Sequence, residues 1–293
     1  MSYAEWMRFF AGLITWDEAN AQFEHLNAQY AELAPESGFL ESGEAFNFQR
    51  AGEWERAAPL YLKSLEKELT DSGQLNLAGT FALLLGKDDI AVRILEHAVA
   101  IDPLCHQCRR ILSQALMYRG DPGDYRRAIE VREQYLAAAA GGQPFYSMLL
   151  ILLGEPEKVA AVWADVEGED HSQKLSYLAM AEYSMGMIEE AKARLAHLEG
   201  LLAQHSERDM NTGIEWEFRY AIGYVAAWFG DADKAFAHLM PPPERVRYLN
   251  RLGVHDPVWR EVRDDPRWLV YREAIGMSPE RLDAIEFDPW LPE

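Results

Sequence analysis

The sequence predicts an all-α chain, a solenoid of about seven helical hairpins with a C-terminal helical cap. Three observations predict it. Small residues recur at the spacing of one hairpin: Ala19, Ala57, Ala91, Ala128, Val159, Ala191 and Ala235 stand 31 to 44 residues apart. A glycine lies five positions before most of them, at Gly52, Gly86, Gly123, Gly154, Gly186 and Gly230, and a bulky residue four positions after, at Phe23, Tyr61, Leu95, Trp163, Leu195 and Leu239; Arg132 breaks that column. Runs rich in Val, Ile and Thr at alternating spacing are missing, which argues against sheets. Short side chains let two antiparallel helices approach until ridges enter grooves. Glycine then ends the first helix in the left-handed conformation that other residues avoid.

Taken in order, residues 1–35 read as a first hairpin, with Trp6, Phe9, Phe10 and Leu13 on one stripe, Trp16, Phe23, Leu26 and Tyr30 on the next, and Thr15 before Asp17 and Glu18 as a helix start. Residues 39–69 form the second, with Pro59 near the start of its second helix, where a missing N–H is tolerated. Residues 72–103 form the third and clearest: Ala78, Gly79 and Ala82 face Ala91 and Ala98, Leu95 fills the larger gap, and Pro103 closes the unit. The fourth, 104–140, has a longer turn at 120–124 and ends at Gly141 and Gly142. The fifth, 143–168, is the most apolar and reads as a buried mid-array pair. The sixth, 171–205, turns at Gly186; the polar stretch 205–213 reads as a loop. The seventh, 214–240, carries Trp216, Phe218, Tyr220, Tyr224, Trp228 and Phe229, and prolines 241–243 stop the pattern. Beyond them Asp256-Pro-Val-Trp259 and Asp265-Pro-Arg-Trp268 each open a short helix with a Trp just downstream. This part reads as a cap over the open end of the last hairpin. The expected division is therefore 1–243 solenoid and 244–293 capping helices and tail.

Composition narrows the function. With 48 acidic and 28 basic residues the net charge is −20, so DNA and anionic membranes are repelled unless a basic face exists. The arginines between 245 and 281 alternate with Asp and Glu, which favours pairing over a phosphate-binding patch. The acidic balance has two readings: a solvated surface, or a preference for a basic partner. No apolar run reaches the ~18 residues of a bilayer span, and the start lacks a basic region followed by an apolar core; the expectation is a cytoplasmic chain. Cys105-His-Gln-Cys108 lacks the second ligand pair of a structural zinc site and the His of a haem attachment. Either it packs in the repeat or it is a redox pair at a helix start.

No phosphate loop, dinucleotide fingerprint, His-Glu-x-x-His or nucleophile elbow is present. Ser64-Leu-Glu-Lys67 matches Ser-x-x-Lys without its companion motifs, and His97 lacks the Glu that a zinc deaminase needs. The histidines are scattered. No catalytic residue, metal ligand or cofactor is expected.

The layout of residues 72–103 and its recurrence resemble the tetratricopeptide repeat (TPR), a helix–turn–helix of 34 residues. The resemblance implies a right-handed superhelix whose first helices line a concave face. Mapped onto this chain, that face carries Phe46, Arg50, Asn76, Arg110, Gln114, Met117, Tyr118, Met148, Met180, Tyr183, Tyr220, Tyr224 and Trp228, with Gln49, Thr80 and Ser176 among them. Aromatics, Met and Arg are over-used at binding surfaces. Thr80 and Gln114 stand where chaperone-binding repeats would place Asn, so a chaperone tail is not the expected ligand.

A narrower resemblance covers roughly residues 73–276: Ile101-Asp-Pro-Leu-Cys-His-Gln-Cys108, then 226–236, then His255-Asp-Pro-Val-Trp259 and Arg263-Asp-Asp-Pro-Arg-Trp268. It looks like the C-terminal repeat module of bacterial signalling proteins that carry a winged-helix or adenylate/guanylate cyclase domain before the repeats. Neither domain lies within these 293 residues; the chain is then a piece of a longer regulator or a free-standing relative. The resemblance implies a regulatory, partner-binding role and carries over neither DNA binding nor cyclase activity. The expected function is thus a non-catalytic scaffold for a protein or peptide partner, in the regulatory or sensor part of a bacterial signalling protein. The alternatives are a self-associating structural adaptor and, from another class, an enzyme whose site hides among scattered polar residues.

Overall fold

The computed structural model describes residues 37–136, 143–168, 170–204, 213–240, 251 and 253–292, with scattered positions before 37. The expected first hairpin, the 205–212 loop and prolines 241–243 lie outside the described residues. Within them the chain is helical and contains no strand. Six hairpins follow one another: α1 (Phe39–Ala51) with α2 (Trp54–Lys67), α3 (Ser72–Leu84) with α4 (Asp88–Ile101), α5 (His106–Arg119) with α6 (Pro122–Leu136), α7 (Gln143–Leu152) with α8 (Val159–Val162), α9 (Ser172–Ser184) with α10 (Ile188–Ala203), and α11 (Gly213–Trp228) with α12 (Ala232–Leu239). Each pair packs on the next, as an all-α solenoid requires. No helix of the described residues is long and apolar enough to cross a membrane.

The ruler residues are where helices touch. Ala57, Ala91, Ala128, Val159, Ala191 and Ala235 are all fully buried. The bulky column fills the gaps beside them: Tyr61, Leu95, Trp163, Leu195 and Leu239 are each at most 5% exposed. Two first-helix glycines show the closeness directly. A Cβ on Gly79 would stand 2.6 Å from Leu95 Cγ, and one on Gly223 2.7 Å from Leu239 Cγ. The break in the column, Arg132, is buried too.

Five of the six expected turn glycines, Gly52, Gly86, Gly154, Gly186 and Gly230, take φ between 74° and 79°. The sixth is a correction. Gly120, at φ 89°, makes the turn of the fourth hairpin, while Gly123 lies within α6. Pro122 sets this, because a proline opening α6 moves the helix start ahead of Gly123. The second helix of the fifth hairpin is also shorter than expected. After a 3₁₀ turn (Pro156–Lys158) only Val159–Val162 is α-helical. Its end tightens to i−3 bonds, Trp163 N–H to Ala160 O and Val166 N–H to Trp163 O. Val159, Val162 and Val166 are weak helix formers, and the Trp163 indole is held instead by Ser147 Oγ at 2.8 Å.

Pro59 stands inside α2, not at its start. It leaves the Glu55 carbonyl without an intrahelical partner and crowds it. Pro59 is exposed, so Pro59→Ala should stabilise the chain by about 2–2.5 kcal/mol, the ~3 kcal/mol cost of a mid-helix proline less the unfolded-chain entropy it removes. A thermal melt checks this; an unchanged or lower midpoint would show that α2 needs the proline.

The C-terminal helices begin as expected. Asp256 caps a 3₁₀ turn (Pro257–Glu261), its Oδ1 accepting Val258 N–H at 2.9 Å. Asp265 caps α13 (Pro266–Ala274) in the same way, and α14 (Pro279–Asp283) follows. Each aspartate satisfies an orphan amide while proline fills N1. Cys105 and Cys108 are joined by a disulfide.

Candidate functional site

The inner residues fall into three groups. Met117, Met148 and Met180 are at most 1% exposed and belong to the packed core, so they present no atoms to a partner in this conformation. Phe46, Arg50, Asn76, Arg110 and Gln114 are partly exposed along α1, α3 and α5. There Arg50 lies 5.8 Å from the Phe46 ring centre, Arg110 donates to Gln107 Oε1 at 2.8 Å, and Gln114 donates to Tyr118 Oη at 2.7 Å. Asn76 offers its carbonyl to Thr80 Oγ1 at 2.8 Å. The remaining five, Tyr118, Tyr183, Tyr220, Tyr224 and Trp228, converge on the C-terminal segment.

That segment does more than cover the last hairpin. It does pack there: Trp268 faces Phe236 at 6.5 Å, and Arg267 pairs with Asp233 at 2.7 Å. It also runs back along the turn edge of the array. Arg251 donates to the Arg50 carbonyl at 2.8 Å, against the Gly52 turn, and to the Ile275 carbonyl at 2.8 Å. His255 sits against the Gly86 turn with Nε2 3.0 Å from the Leu84 carbonyl. Because that nitrogen must donate, the ring is the neutral Nε2–H form; burial, then the nearby Arg272, pushes its pKa down to about 4. The Trp54 indole donates to the Gly276 carbonyl at 2.7 Å, Phe287 meets Phe81 edge-on at 5.0 Å, and Arg281 grips Glu55 at 2.6 Å.

At the centre is a tyrosine ring around Asp256. Asp256 is 3% exposed, and its Oδ2 accepts the Tyr118 hydroxyl at 3.5 Å. Burial pushes its carboxyl up to about 6, against the pull of Val258 N–H, the Tyr224 hydroxyl and Arg263. Tyr118, Tyr177, Tyr220 and Tyr224 are all shifted upward, by burial first and by the Asp256 charge second. Tyr220 stacks on Tyr224 at 5.3 Å, and Trp259 meets both edge-on at 6.1 and 5.4 Å. Gly253, at φ 73°, lies so close that a Cβ would stand 2.6 Å from Tyr220 Oη. Hairpins four, six and seven thus meet through one segment.

One part of the turn edge stays open. A cleft of about 480 Å³ is lined by Ile151, Leu152, Gly154 and Pro156, by Tyr183 and Ser184, by Trp228, Phe229 and Gly230, and by Arg260 and Glu261. Tyr183 stacks on Phe229 at 4.3 Å and donates to its carbonyl at 3.2 Å. The Trp228 indole donates to Ser184 Oγ at 3.1 Å, with the Arg260 guanidinium 4.7 Å from the ring centre. The Gly52 and Gly86 turns are covered by Arg251 and His255, whereas Gly154 and Gly230 have no neighbour within 4 Å of a would-be Cβ. Of the cleft residues, the repeat pattern points to Tyr183 and Trp228 and misses Phe229, Arg260 and Glu261. Phe229 could have been found as the residue just before the turn glycine; the other two depend on the route of the C-terminal segment. The cleft presents stacked rings, one guanidinium and one carboxylate, a surface for binding; no nucleophile and base meet in it. Among the described residues no group of three or more His, Cys, Asp or Glu could hold a metal ion.

No protein-family model and no curated protein matches the chain. Among solved structures it is similar to a TPR-repeat chain in the crystal structure of the APC/C hetero-tetramer Cut9-Hcn1, with 13% identity and a TM-score of 0.50. The match covers 89% of this chain and 52% of that one, so the chain spans about half the length of its structural neighbour. The likeness is one of fold, and the fold is a TPR-like helical repeat.

Proposed function

We propose that the chain is a non-catalytic scaffold that binds a protein or peptide segment in the cleft at the turns of hairpins five to seven. The observation that carries this reading is the contrast along one edge: the chain's own C-terminal segment covers the early turns and leaves an aromatic, arginine-bearing recess at the late ones. Aromatic and Arg side chains around a concavity are the usual anchors of an interface. The TPR-like fold supports a protein partner by analogy, and the neighbouring structure, the Cut9-Hcn1 hetero-tetramer, is an assembly of two proteins. The net charge of −20 supports a basic partner, steered by the acidic surface. The closing Asp-Pro motifs support the finer placement in a bacterial regulator related to winged-helix or cyclase-type signalling proteins. On this reading residues 244–293 are an integral piece of the 1–243 array, not a separable lid.

Peptides selected on the purified chain should lose at least tenfold in affinity on Tyr183→Ala or Arg260→Ala, measured by calorimetry. Affinity unchanged in both variants would overturn the cleft as the site. The second reading, self-association, has its own observation: Leu269 and Val270 are 52% and 55% exposed, side by side on α13. Light scattering of the same proteins separates the two, since a concentration-dependent dimer untouched by the cleft variants supports the adaptor.

A further inference from the structure

The disulfide between Cys105 and Cys108 has no part in the binding surface above. It sits at the start of α5, where Cys105 is the N-cap and its Sγ accepts the Cys108 N–H at 3.2 Å. The two sulfurs differ in access: Cys108 is fully buried, and Cys105 is partly exposed. Cys108 Sγ lies 3.4 Å from the Ser72 carbonyl oxygen of α3. A thiol S–H can donate to that oxygen and a disulfide cannot, so the reduced pair also has a place in the fold. In the chain just before Cys105, Leu104 is 78% and Ile101 37% exposed. Arg109, one helical turn after Cys105, donates to the Pro103 carbonyl at 2.8 and 3.0 Å. A helix N-terminus and a direct amide donor both favour a thiolate at Cys105. The exposed Leu104 and Ile101 side chains are apolar surface on which a thiol-bearing segment can lie.

We infer that Cys105 and Cys108 form a thiol–disulfide exchange site acting on a vicinal thiol pair of a partner protein. A partner thiolate attacks Cys105 Sγ, the Cys105–Cys108 bond breaks, and its electron pair leaves on Cys108 Sγ, which takes a proton from solvent. The partner's second thiolate then attacks the partner sulfur of the mixed disulfide and expels Cys105 as thiolate. Two partner thiols end as a disulfide, and this chain's disulfide ends as a dithiol; the reverse sequence reduces a partner disulfide.

Glutathione buffers of graded poise test this on the whole chain, with maleimide labelling read by mass spectrometry and folding followed by circular dichroism. The folded chain should take up two labels in excess reduced glutathione and none in excess oxidised glutathione, reversibly. Cys108→Ser should trap one glutathione at Cys105, at least tenfold faster than Cys105→Ser traps one at the buried Cys108. A bond that reduces only after denaturation, thiols that stay reduced at every poise, or equal rates in the two variants would each overturn the assignment.

Discussion

Trp259→Ala is expected to cost about 3–5 kcal/mol of folding stability, the range for removing a large buried aromatic side chain. Trp259 is 1% exposed and touches Tyr220, Tyr224 and Trp268 at once. Its indole N–H donates to the Gly253 carbonyl at 2.7 Å, a bond lost in the variant, which leaves that oxygen with the Asp256 N–H alone. The effect should reach past the local cavity. In an open solenoid each repeat is held by its neighbours alone, but here the segment carrying Trp259 also bonds Trp54 and Arg50 in the second hairpin and Leu84 in the third. Loosening it at one end should loosen those contacts too. Urea unfolding gives the stability, and hydrogen exchange at the Trp54 indole reports the far end. Trp290, 74% exposed, is the control, with Trp290→Ala within about 0.5 kcal/mol of the parent. A loss below about 1 kcal/mol at Trp259, or unchanged exchange at Trp54, would mean that the segment is held piecewise.

How far this was legible in the sequence follows the range of the interactions. Hairpin geometry is local, set by alanine at the crossing, glycine at the turn and a bulky residue one helical turn on, and residues 72–103 display all of it. The Asp-Pro starts at 256 and 265 are local as well, because an N-cap and an N1 proline act within four residues. The same local logic failed at Gly123, where column spacing was followed although Pro122 already implied that the helix had begun. It failed again at Val159, where apolar content outweighed the poor helix propensity of three valines. The route of the C-terminal segment was not legible, since its contacts join residues up to 226 positions apart. Arg251 and His255 carry no local mark that they will rest on the Gly52 and Gly86 turns. For the candidate site, first-helix positions near the turn, Tyr183 and Trp228, were found by register alone, while Arg260 depends on that route. Met148 and Met180, six positions before their turn glycines, and Met117, three before Gly120, are buried in the packed core instead.

Asp256→Asn should stabilise the chain above pH 6 and remove most of its pH dependence between about 4 and 6. In the folded chain burial holds the Asp256 pKa up at about 6, against an ordinary value of 3.8. Below pH 4 both folded and unfolded chains carry the proton. Between pH 4 and 6 the unfolded chain gives it up and the folded chain keeps it, so stability falls as pH rises. The deficit is complete above pH 6 and amounts to about 3 kcal/mol for roughly two pKa units. Asp88, pushed up to about 6 by burial and by the Asp89 charge, acts in the same sense. His255 opposes both. Its pKa falls from 6.5 to about 4, so the unfolded chain binds the extra proton in that window and stability rises with pH. The parent should therefore lose stability from pH 4 to 6, with two falling contributions against one rising. Asparagine keeps an oxygen to accept the Val258 amide, places an NH2 donor where Oδ2 accepts the Tyr118 hydroxyl, and cannot ionise, so the variant sets the rise from His255 against the fall from Asp88 alone and is nearly flat. Chemical denaturation from pH 4 to 8 measures both profiles. Parallel curves, or an Asn variant less stable than the parent at pH 8, would show that the Asp256 carboxylate is stabilised by its ring of hydroxyls rather than stranded within it.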